Sequence, residues 1–326
     1  MEFDLIELIR TRCAVQRADV RLGIGDDAAL LAPPAGHELA VSTDTLVGGV
    51  HFPFATSAHD LGWKALAVNL SDLAAMGATP AWSLLALTLP EATREFVAEF
   101  IDGYAELAAQ HGVALVGGDT TRGPLAIGVT VHGFVAPGRA LRRDGAQAGD
   151  LVFVTGTLGD AAAGLRCLDR RDTRAQALFN APPDTRETLV ARLNRPTPRV
   201  AAGAALRDVA SACIDVSDGL LADLGHIAER SGVGIEIDAG ALPASSALLT
   251  LFEREERLVL QATGGDDYEL AFCVPAARAG DVQRDLARIG CGATRIGRVV
   301  AGERVRLFDG DGSELVPERS GWDHFA

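Results

Sequence analysis

The chain has 326 residues, enough for two domains at the usual ~100–200 residues per domain. Apolar residues make up 48 % and charged residues 23 %, as in ordinary globular proteins, and no run approaches the ~18 apolar residues that a membrane helix needs. With 44 Asp and Glu against 30 Lys and Arg, the net charge is −14, which argues against nucleic-acid binding and implies that divalent cations mediate the binding of any anionic ligand.

The first half of the chain alternates apolar strand patterns with helical ones. Strands are predicted at 39–47, 81–90, 113–119 and 125–135, and helices at 58–76 and 91–111. The second helix begins after Pro90 with an acidic first turn and ends at Gly112. Residues 136–150 are rich in Gly, Ala and charge, and we interpret them as an inter-domain connection.

The second half of the chain continues the alternation of strands and helices. Strands are predicted at 151–156, 211–218, 233–238, 268–274, 294–300 and 303–308, and helices at 159–170, 199–210, 219–230, near 244–253 and at 276–289. Residues 171–198 are polar and contain four prolines, so they are predicted to be partly loop. We expect an α+β protein of two domains with mixed sheets, one spanning residues 1–138 and the other residues 139–326.

The N-terminus and the cysteines point to a cytoplasmic protein. The sequence MEFDLIELIR is acidic and amphipathic and does not resemble a signal peptide. The five cysteines are scattered with no Cys-x-x-Cys, which argues against a disulfide framework or a zinc ribbon. Lys64 is the only lysine, and it stands in no Walker or protein-kinase motif.

One aspartate lies within the apolar stretch NLSDLAAMGA, residues 69–78. On a helical projection Asp72 shares a stripe with apolar side chains, while leucines occupy the opposite side. A helix that is apolar on most of its circumference is buried, so we expect Asp72 to be buried as well. An ionised carboxylate there needs a partner, because its unpaired burial costs several kcal/mol.

Six segments of the chain place aspartates beside Gly, Ser or Thr among apolar residues. They are GIGDDAALL, STDT, NLSD, GGDTTRG, DVSDG and GGDDYEL. Glycine lets the backbone approach a ligand closely, and Ser, Thr and Asp supply hard oxygen ligands. Oxygen clusters without His or Cys suit Mg²⁺, which binds to a few carboxylates together with phosphate oxygens and water. The six segments together favour metal–phosphate chemistry.

Each aspartate also has a purely structural interpretation. An aspartate after glycine is often only a turn residue, which applies to Asp26 and Asp267. Asp218 is placed where it could cap the helix that follows. For Asp44 and Asp72 the structural alternative is a buried pair with an arginine.

Two further residues stand out. His51, in GGVHFPF, either packs against its neighbouring phenylalanines or contacts a ligand. Trp322 lies near the C-terminus, where disorder is the usual state, and suggests that the tail docks onto the protein.

In their order and spacing these segments resemble the thiamine-monophosphate kinase family. The matching strings are GIGDDAALL, STDTLVGGVHF, KALAVNLSDLAAMGATPAW, LVGGDTTRGPL, IDVSDGLLADLGHI, GGDDYEL and GWDHF, which run nearly from end to end of the chain. The family belongs to a superfamily with aminoimidazole ribonucleotide synthetase, selenophosphate synthetase and a hydrogenase maturation protein. The resemblance implies an N-terminal domain whose sheet pairs across a homodimer into a barrel, and a C-terminal α/β domain.

The resemblance also implies roles for individual residues. The family's Mg²⁺ positions match Asp27, Ser42, Thr43, Asp44, Asp72, Asp119, Asp215 and Asp218. Positions that meet ATP match Gly118, Asp119, Arg143 and Ser217, and positions that meet the thiamine substrate match His51, Asp266 and Trp322. The family motif is GGEDYEL where this chain has GGDDYEL, so Asp266 is one methylene shorter than the expected glutamate. Which tyrosine meets adenine stays open, although Tyr104 lies near the expected position.

The implied reaction is ATP-dependent phosphorylation of thiamine monophosphate, with several Mg²⁺ ions and ATP as co-substrate. Asp44, Asp72 and Arg143 are the candidate catalytic residues. The expected partners are the two substrates and a second copy of the chain, with neither nucleic acid nor membrane. The alternatives are another ATP-dependent enzyme of the superfamily, or a non-catalytic scaffold that binds Mg²⁺ and nucleotide.

Overall fold

A computed structural model describes residues 2–13, 15–91, 93–169, 178 and 180–322. The chain forms two compact units. Unit 1 contains Met1–Leu73 and Ala78–Ala140, and unit 2 contains Ala74–Gly77 and Leu141–Ala326. Much of the polar stretch predicted to be partly loop, residues 171–177 and 179, lies outside the described residues, as does the end of the GWDHF string.

Unit 1 is built on a four-stranded mixed sheet. Its elements in chain order are α1 (Glu2–Arg12), β1 (Val20–Leu22), β2 (Leu30–Leu31), β3 (Glu38–Val47), α2 (Ala58–Ala75), β4 (Thr79–Leu89), α3 (Arg94–His111), β5 (Ala114–Arg122) and β6 (Ala126–Val135). The strand order is β3-β6-β4-β5, in which only β4 and β5 are parallel. The prediction of four strands in this half of the chain is confirmed; the short hairpin of β1 and β2 was missed.

The two long helices of unit 1 cross at glycines. A Cβ atom on Gly62 of α2 would lie 1.8 Å from the carbonyl oxygen of Phe100, and one on Gly103 of α3 would lie 1.9 Å from that of His59. Helix α3 begins later than predicted, because Thr93 accepts a hydrogen bond from the Phe96 N–H and caps it. Its end at a left-handed Gly112 is as predicted.

The two faces of the unit 1 sheet differ in what covers them. The strands alternate with period two, so that Ile127, Val129 and Val131 of β6 are buried and the residues between them are not. On β3 the residues of the other face are exposed, with Val41 56 % and Leu39 49 % accessible. One side of this sheet is therefore open along β3.

Unit 2 is built on a seven-stranded mixed sheet. Its elements in chain order are β7 (Leu151–Thr155), α4 (Asp160–Leu168), α5 (Pro183–Asn194), α6 (Val200–Leu206), β8 (Ala212–Asp215), α7 (Leu220–Ser231), β9 (Gly234–Asp238), α8 (Ser246–Leu251), α9 (Arg254–Thr263), β10 (Leu270–Val274), α10 (Ala279–Arg288), β11 (Ala293–Val300), β12 (Val305–Phe308) and β13 (Glu314–Leu315). The strand order is β13-β12-β9-β11-β7-β10-β8, and β12 with β9 is the parallel pair. The expectation of an α+β protein with mixed sheets is confirmed.

Unit 2 has a hydrophobic core on each face of its sheet. Val152 and Val154 pack with α7 on one face, while Phe153 between them packs with α6 and α10 on the other. Three helices of the structure were not predicted from the sequence patterns. The N-terminal helix α1 was not predicted, α5 lies in the stretch predicted to be partly loop, and α9 fills a gap between predicted elements. In the part of the chain that the structure describes, no helix is long and apolar enough to cross a membrane.

Candidate functional site

Asp72 lies on α2 and meets the neighbouring strand β3. The Ser42 hydroxyl donates a hydrogen bond of 2.5 Å to Asp72 Oδ2. The prediction that Asp72 is buried is only half right, because its side chain is half-buried. Leu61 and Val68, on the same stripe of the helix, are 2 % exposed, but Met76 is 37 % exposed. Met76 follows the last residue of the helix, Ala75, and the Ser42 hydroxyl is one polar partner that the Asp72 carboxylate meets.

Asp44 is held to the same helix through its backbone. The Asp44 N–H donates to Asn69 Oδ1 at 3.0 Å, and Asn69 Nδ2 donates to the Ala65 carbonyl at 2.9 Å. Asn69 is 1 % exposed. It was not singled out in the sequence, although it stands three residues before Asp72 in the same motif. Ser42 and Asp72 are therefore in direct contact, and the backbone of Asp44 is tied to the same helix.

The other predicted site residues of the unit 1 sheet follow its alternation. Thr43 accepts a hydrogen bond from the Thr130 hydroxyl at 3.0 Å, on the face opposite to that of Asp44. Asp119, on β5, lies three strands away from β3. Its neighbour Gly118 has φ 154°, and a Cβ there would lie 1.9 Å from the Leu85 carbonyl oxygen. The close approach of β5 to β4 therefore requires glycine.

Asp27 and His51 lie in loops of unit 1. Asp27 is exposed, and its N–H donates to Asp26 Oδ1 at 2.9 Å. His51 is half-buried after β3, and its Nδ1 accepts the Val47 N–H at 2.9 Å. That hydrogen bond leaves Nε2 as the ring nitrogen that carries the proton in the neutral imidazole. Tyr104, by contrast, is fully buried on α3.

In unit 2 a carboxylate that the sequence analysis did not name organises the predicted loop. Asp223 Oδ2 accepts the N–H groups of Ser217, Asp218 and Gly219 at 3.1, 3.2 and 3.1 Å. Asp218 therefore does not cap α7, whose N-cap is Gly219 with no side-chain hydrogen bond. Burial, with repulsion from Asp215 and Asp218, raises the pKa of Asp223 to about 8.

The loop of Asp266 and the C-terminal tail meet this same segment. The Asp266 N–H donates to the Ser217 carbonyl at 2.8 Å, and the Trp322 N–H donates to the Asp218 carbonyl at 2.9 Å. The described end of the chain, up to Trp322, is therefore hydrogen-bonded to unit 2 through its backbone. Unit 2 therefore brings Ser217, Asp218, Asp266 and Trp322 together, with Asp215 at the adjoining end of β8.

Arg143 lies exposed beside the edge strand β8. The preceding residue, Arg142, accepts the Cys213 N–H on its carbonyl at 2.9 Å. The Ser231 hydroxyl donates to the Arg143 carbonyl at 2.8 Å. The backbone of Arg143 is thus fixed next to β8, and the residue itself is exposed.

Five of the eight predicted metal ligands fall into one set in each unit, whereas Thr43 lies on the other face of β3, Asp119 on β5 and Asp27 in a loop. Unit 1 supplies Ser42, Asp44 and Asp72, and unit 2 supplies Asp215 and Asp218. Among the described residues, no three His, Cys, Asp or Glu side chains lie close enough together to form a metal site alone. Both sets consist of oxygen donors, which fits a hard cation that takes few carboxylates and completes its shell with phosphate and water.

Two family models match the chain. "AIR synthase related protein, N-terminal domain" matches residues 25–135, and "AIR synthase related protein, C-terminal domain" matches residues 147–310. Curated relatives are similar over nearly the whole chain. The thiamine-monophosphate kinase of Escherichia coli K12 is 47 % identical, with 100 % of this chain and 98 % of the relative covered. That of Bacillus subtilis is 38 % identical, with 99 % of both covered.

Solved structures agree with these relatives. A crystal structure of thiamine-monophosphate kinase from Stenotrophomonas maltophilia has a TM-score of 0.88 at 51 % identity, covering 96 % of this chain and 98 % of the other. A structure described as AaThiL complexed with AMPPCP and TMP has a TM-score of 0.78 at 35 % identity, covering 99 % and 97 %. Escherichia coli HypE, a hydrogenase maturation protein, shares the fold at 24 % identity with a TM-score of 0.77.

Proposed function

Because this chain belongs to the thiamine-monophosphate kinase family, we propose that it phosphorylates thiamine monophosphate with ATP, giving thiamine diphosphate and ADP. The end-to-end match to kinases of this name carries the proposal. A relative at 35 % identity has been solved with AMPPCP and TMP, which supports an ATP-like nucleotide and a thiamine monophosphate as the two ligands.

The reaction depends on the positioning of the two phosphate groups more than on a general base. An oxygen of the substrate phosphate attacks the γ-phosphorus of ATP, a P–O–P bond forms, and the bond from the γ-phosphorus to the β–γ bridging oxygen breaks to release ADP. The acceptor phosphate has a second pKa of about 6, so its oxygen is already ionised near neutral pH. We therefore propose direct in-line transfer, in which two anions must be held together.

The carboxylates of both units serve this positioning as Mg²⁺ ligands. Ser42, Asp44 and Asp72 would hold Mg²⁺ in unit 1, and Asp215 and Asp218 would hold it in unit 2. Asp27, Thr43 and Asp119 complete the proposed set. When bound, Mg²⁺ neutralises phosphate charge, which an acidic protein would otherwise repel.

The remaining proposed contacts orient the two substrates. Gly118, Asp119 and Ser217 contact ATP, and the Arg143 guanidinium donates to phosphate oxygens as charge develops. His51 and Asp266 contact the thiamine substrate. Trp322 is 55 % exposed, and we propose that its ring stacks on the pyrimidine or the cationic thiazolium of the substrate.

We further propose a cytoplasmic homodimer. Residues 1–138 form the domain that binds metal and ATP and that dimerises, with its sheet pairing into a barrel across the two copies. The open face of the unit 1 sheet, with Val41 and Leu39 exposed, supports this proposal. The five cysteines are all buried and form no disulfide, which supports a reducing compartment.

One assay tests the reaction. The purified protein with ATP, Mg²⁺ and thiamine monophosphate should yield equal amounts of thiamine diphosphate and ADP by chromatography. Chelation with EDTA should stop the reaction and added Mg²⁺ should restore it. Binding of nucleotide without any product would instead favour the non-catalytic scaffold.

Direct transfer has its own test. During turnover with γ-labelled ATP, all label should pass to thiamine diphosphate. A labelled phosphoprotein trapped by acid quenching, and chased into product by thiamine monophosphate, would overturn direct transfer while leaving the overall reaction in place.

A further inference from the structure

The loop that carries Asp266 has a strained backbone. Among the described residues, Asp266 and Tyr268 are the two non-glycine residues with positive φ, at 67° and 49°. Aspartate tolerates this conformation, but for a tyrosine it is a genuine outlier. Such strain persists only where the surrounding structure determines the conformation, and it clusters at functional sites.

Backbone hydrogen bonds fix one side of this loop. The N–H groups of Asp266 and Tyr268 donate to the carbonyls of Ser217 and Val216, both at 2.8 Å. The strained residues are therefore tied to the segment that carries the proposed ATP and metal contacts of unit 2.

Buried side chains fix the other side. Glu269 is 0 % exposed, and Arg199 donates to both of its carboxylate oxygens at 2.6 Å. Arg192 donates to Glu269 Oε1 at 2.9 Å, and the Thr155 hydroxyl donates to Oε2 at 2.6 Å. A buried ion pair is weak evidence for stability, because its desolvation cost offsets much of its attraction. A fixed geometry explains this cluster better than stability does.

Tyr268 connects this anchored backbone to the Asp266 carboxylate. Its hydroxyl donates to Asp266 Oδ1 at 3.1 Å, and its side chain is 8 % exposed. The hydroxyl thus limits the rotation of a carboxylate that is one methylene shorter than the glutamate of the family motif.

We propose that Tyr268, and Arg199 through Glu269, are positioning residues that aim the Asp266 carboxylate at the thiamine substrate. This rests on the proposed function, in which Asp266 contacts that substrate. Tyr268 acts on the carboxylate itself, and the Arg199–Glu269 pair holds the strained backbone that carries it.

A double-mutant cycle tests the role of Tyr268. Tyr268→Phe should lower kcat/KM for thiamine monophosphate about tenfold, the loss expected for a hydrogen bond to a charged group. The KM for ATP should stay within about twofold, since Asp266 is not an ATP contact. In an Asp266→Ala background the same substitution should change kcat/KM by less than about twofold. Equal losses in both backgrounds, or an equal rise in both KM values, would overturn the proposal.

A matched pair of arginine variants tests the buried anchor. Arg199→Lys keeps the charge but loses the two-oxygen contact, and it should raise the KM for thiamine monophosphate about tenfold. Arg298 also donates twice to a glutamate of the same sheet, Glu236, but on the surface. Arg298→Lys should leave both KM values unchanged, and equal effects of the two variants would contradict the role of Arg199.

A failure of the proposed function can be distinguished from a failure of the positioning proposal. If the unaltered protein forms no thiamine diphosphate, that function fails, and the same variants are compared by calorimetric binding of thiamine monophosphate. A selective loss of binding in Tyr268→Phe would still support the positioning role. Absence of binding to the unaltered protein would overturn both proposals.

Discussion

At the scale of single residues, Asp72 shows how the fold accommodates a carboxylate on an apolar helix. Its side chain is half-buried, and the Ser42 hydroxyl donates a hydrogen bond to one of its oxygens. A carboxylate has two oxygens that accept about four hydrogen bonds or metal contacts in all, so we propose that Asp72 binds a cation as well as the Ser42 hydroxyl. The same side chain that is costly in a closed core is thus suited to a metal ligand.

Asparagine has nearly the same shape as aspartate but carries no charge, so replacing Asp72 by asparagine tests the contribution of the charge. Asp72→Asn should lower kcat by about 100-fold or more, since even residues that only support metal ligands cost 10–100-fold. The thermal midpoint should be unchanged or raised, because one negative charge near Asp44 is removed. Rates of thiamine diphosphate formation and thermal melts check this. Asp285→Asn, at an exposed aspartate of α10, is the control; near-normal activity of Asp72→Asn would refute its metal role.

At the scale of elements, the crossing of α2 and α3 depends on the absence of side chains. Gly62→Ala should destabilise the protein, because the new Cβ would lie 1.8 Å from the Phe100 carbonyl oxygen and force the helices apart. We expect a loss of about 2 kcal/mol or more in the free energy of unfolding, by analogy with overpacked cores.

Gly225 provides the matched control for this prediction. It also lies within a helix, α7, but nothing lies within 4 Å of an added Cβ. Gly225→Ala should therefore stabilise the protein by up to about 1 kcal/mol through helix propensity alone. Urea unfolding of both variants measures the difference, and a loss of similar size in both would contradict the steric argument.

Element types could be predicted well where a pattern is long and locally encoded. Strands β3 to β6 and helix α2 follow directly from their apolar periodicity. Helix α5 was hidden because prolines and polar residues dominate its stretch, yet Pro183 is tolerated in its first turn. Helix α9 was missed because its first turn is wholly charged. It is anchored by Leu260, which packs with α4 and α8, and by Ala262, which packs with α7.

At the scale of the whole molecule, we predict that the open face of the unit 1 sheet is the surface through which two copies of the chain associate. Val41→Asp places a charge on this face and should convert the proposed homodimer into a monomer, since the burial of an unpaired charge is costly. Val259 is equally exposed, at 56 %, but lies on α9 of unit 2. Light scattering should give twice the chain mass for the unaltered protein and for Val259→Asp. A dimer that survives Val41→Asp would place the interface elsewhere.

The residues of the candidate site could be predicted from the sequence only where they lie in short recognisable motifs. The aspartates of all six segments were singled out because carboxylates beside Gly, Ser or Thr supply the hard oxygens that suit Mg²⁺ and phosphate, and their role stays a prediction. Asn69, Asp223 and Glu269 were not singled out, although they stand within or beside the same motifs. Their roles come from partners distant in sequence or from backbone groups, as with Arg199, which lies 70 positions from Glu269.

The family, the α+β class, the mixed sheets and the candidate ligands follow from the amino-acid sequence, because local periodicity and uninterrupted motifs encode them. The folded chain was needed to show which face each side chain occupies, that Asp72 is half-buried, and that Asp223 rather than Asp218 accepts the loop N–H groups. These outcomes depend on which segments pack together, and the strain at Asp266 and Tyr268 exists only because distant residues hold it in place.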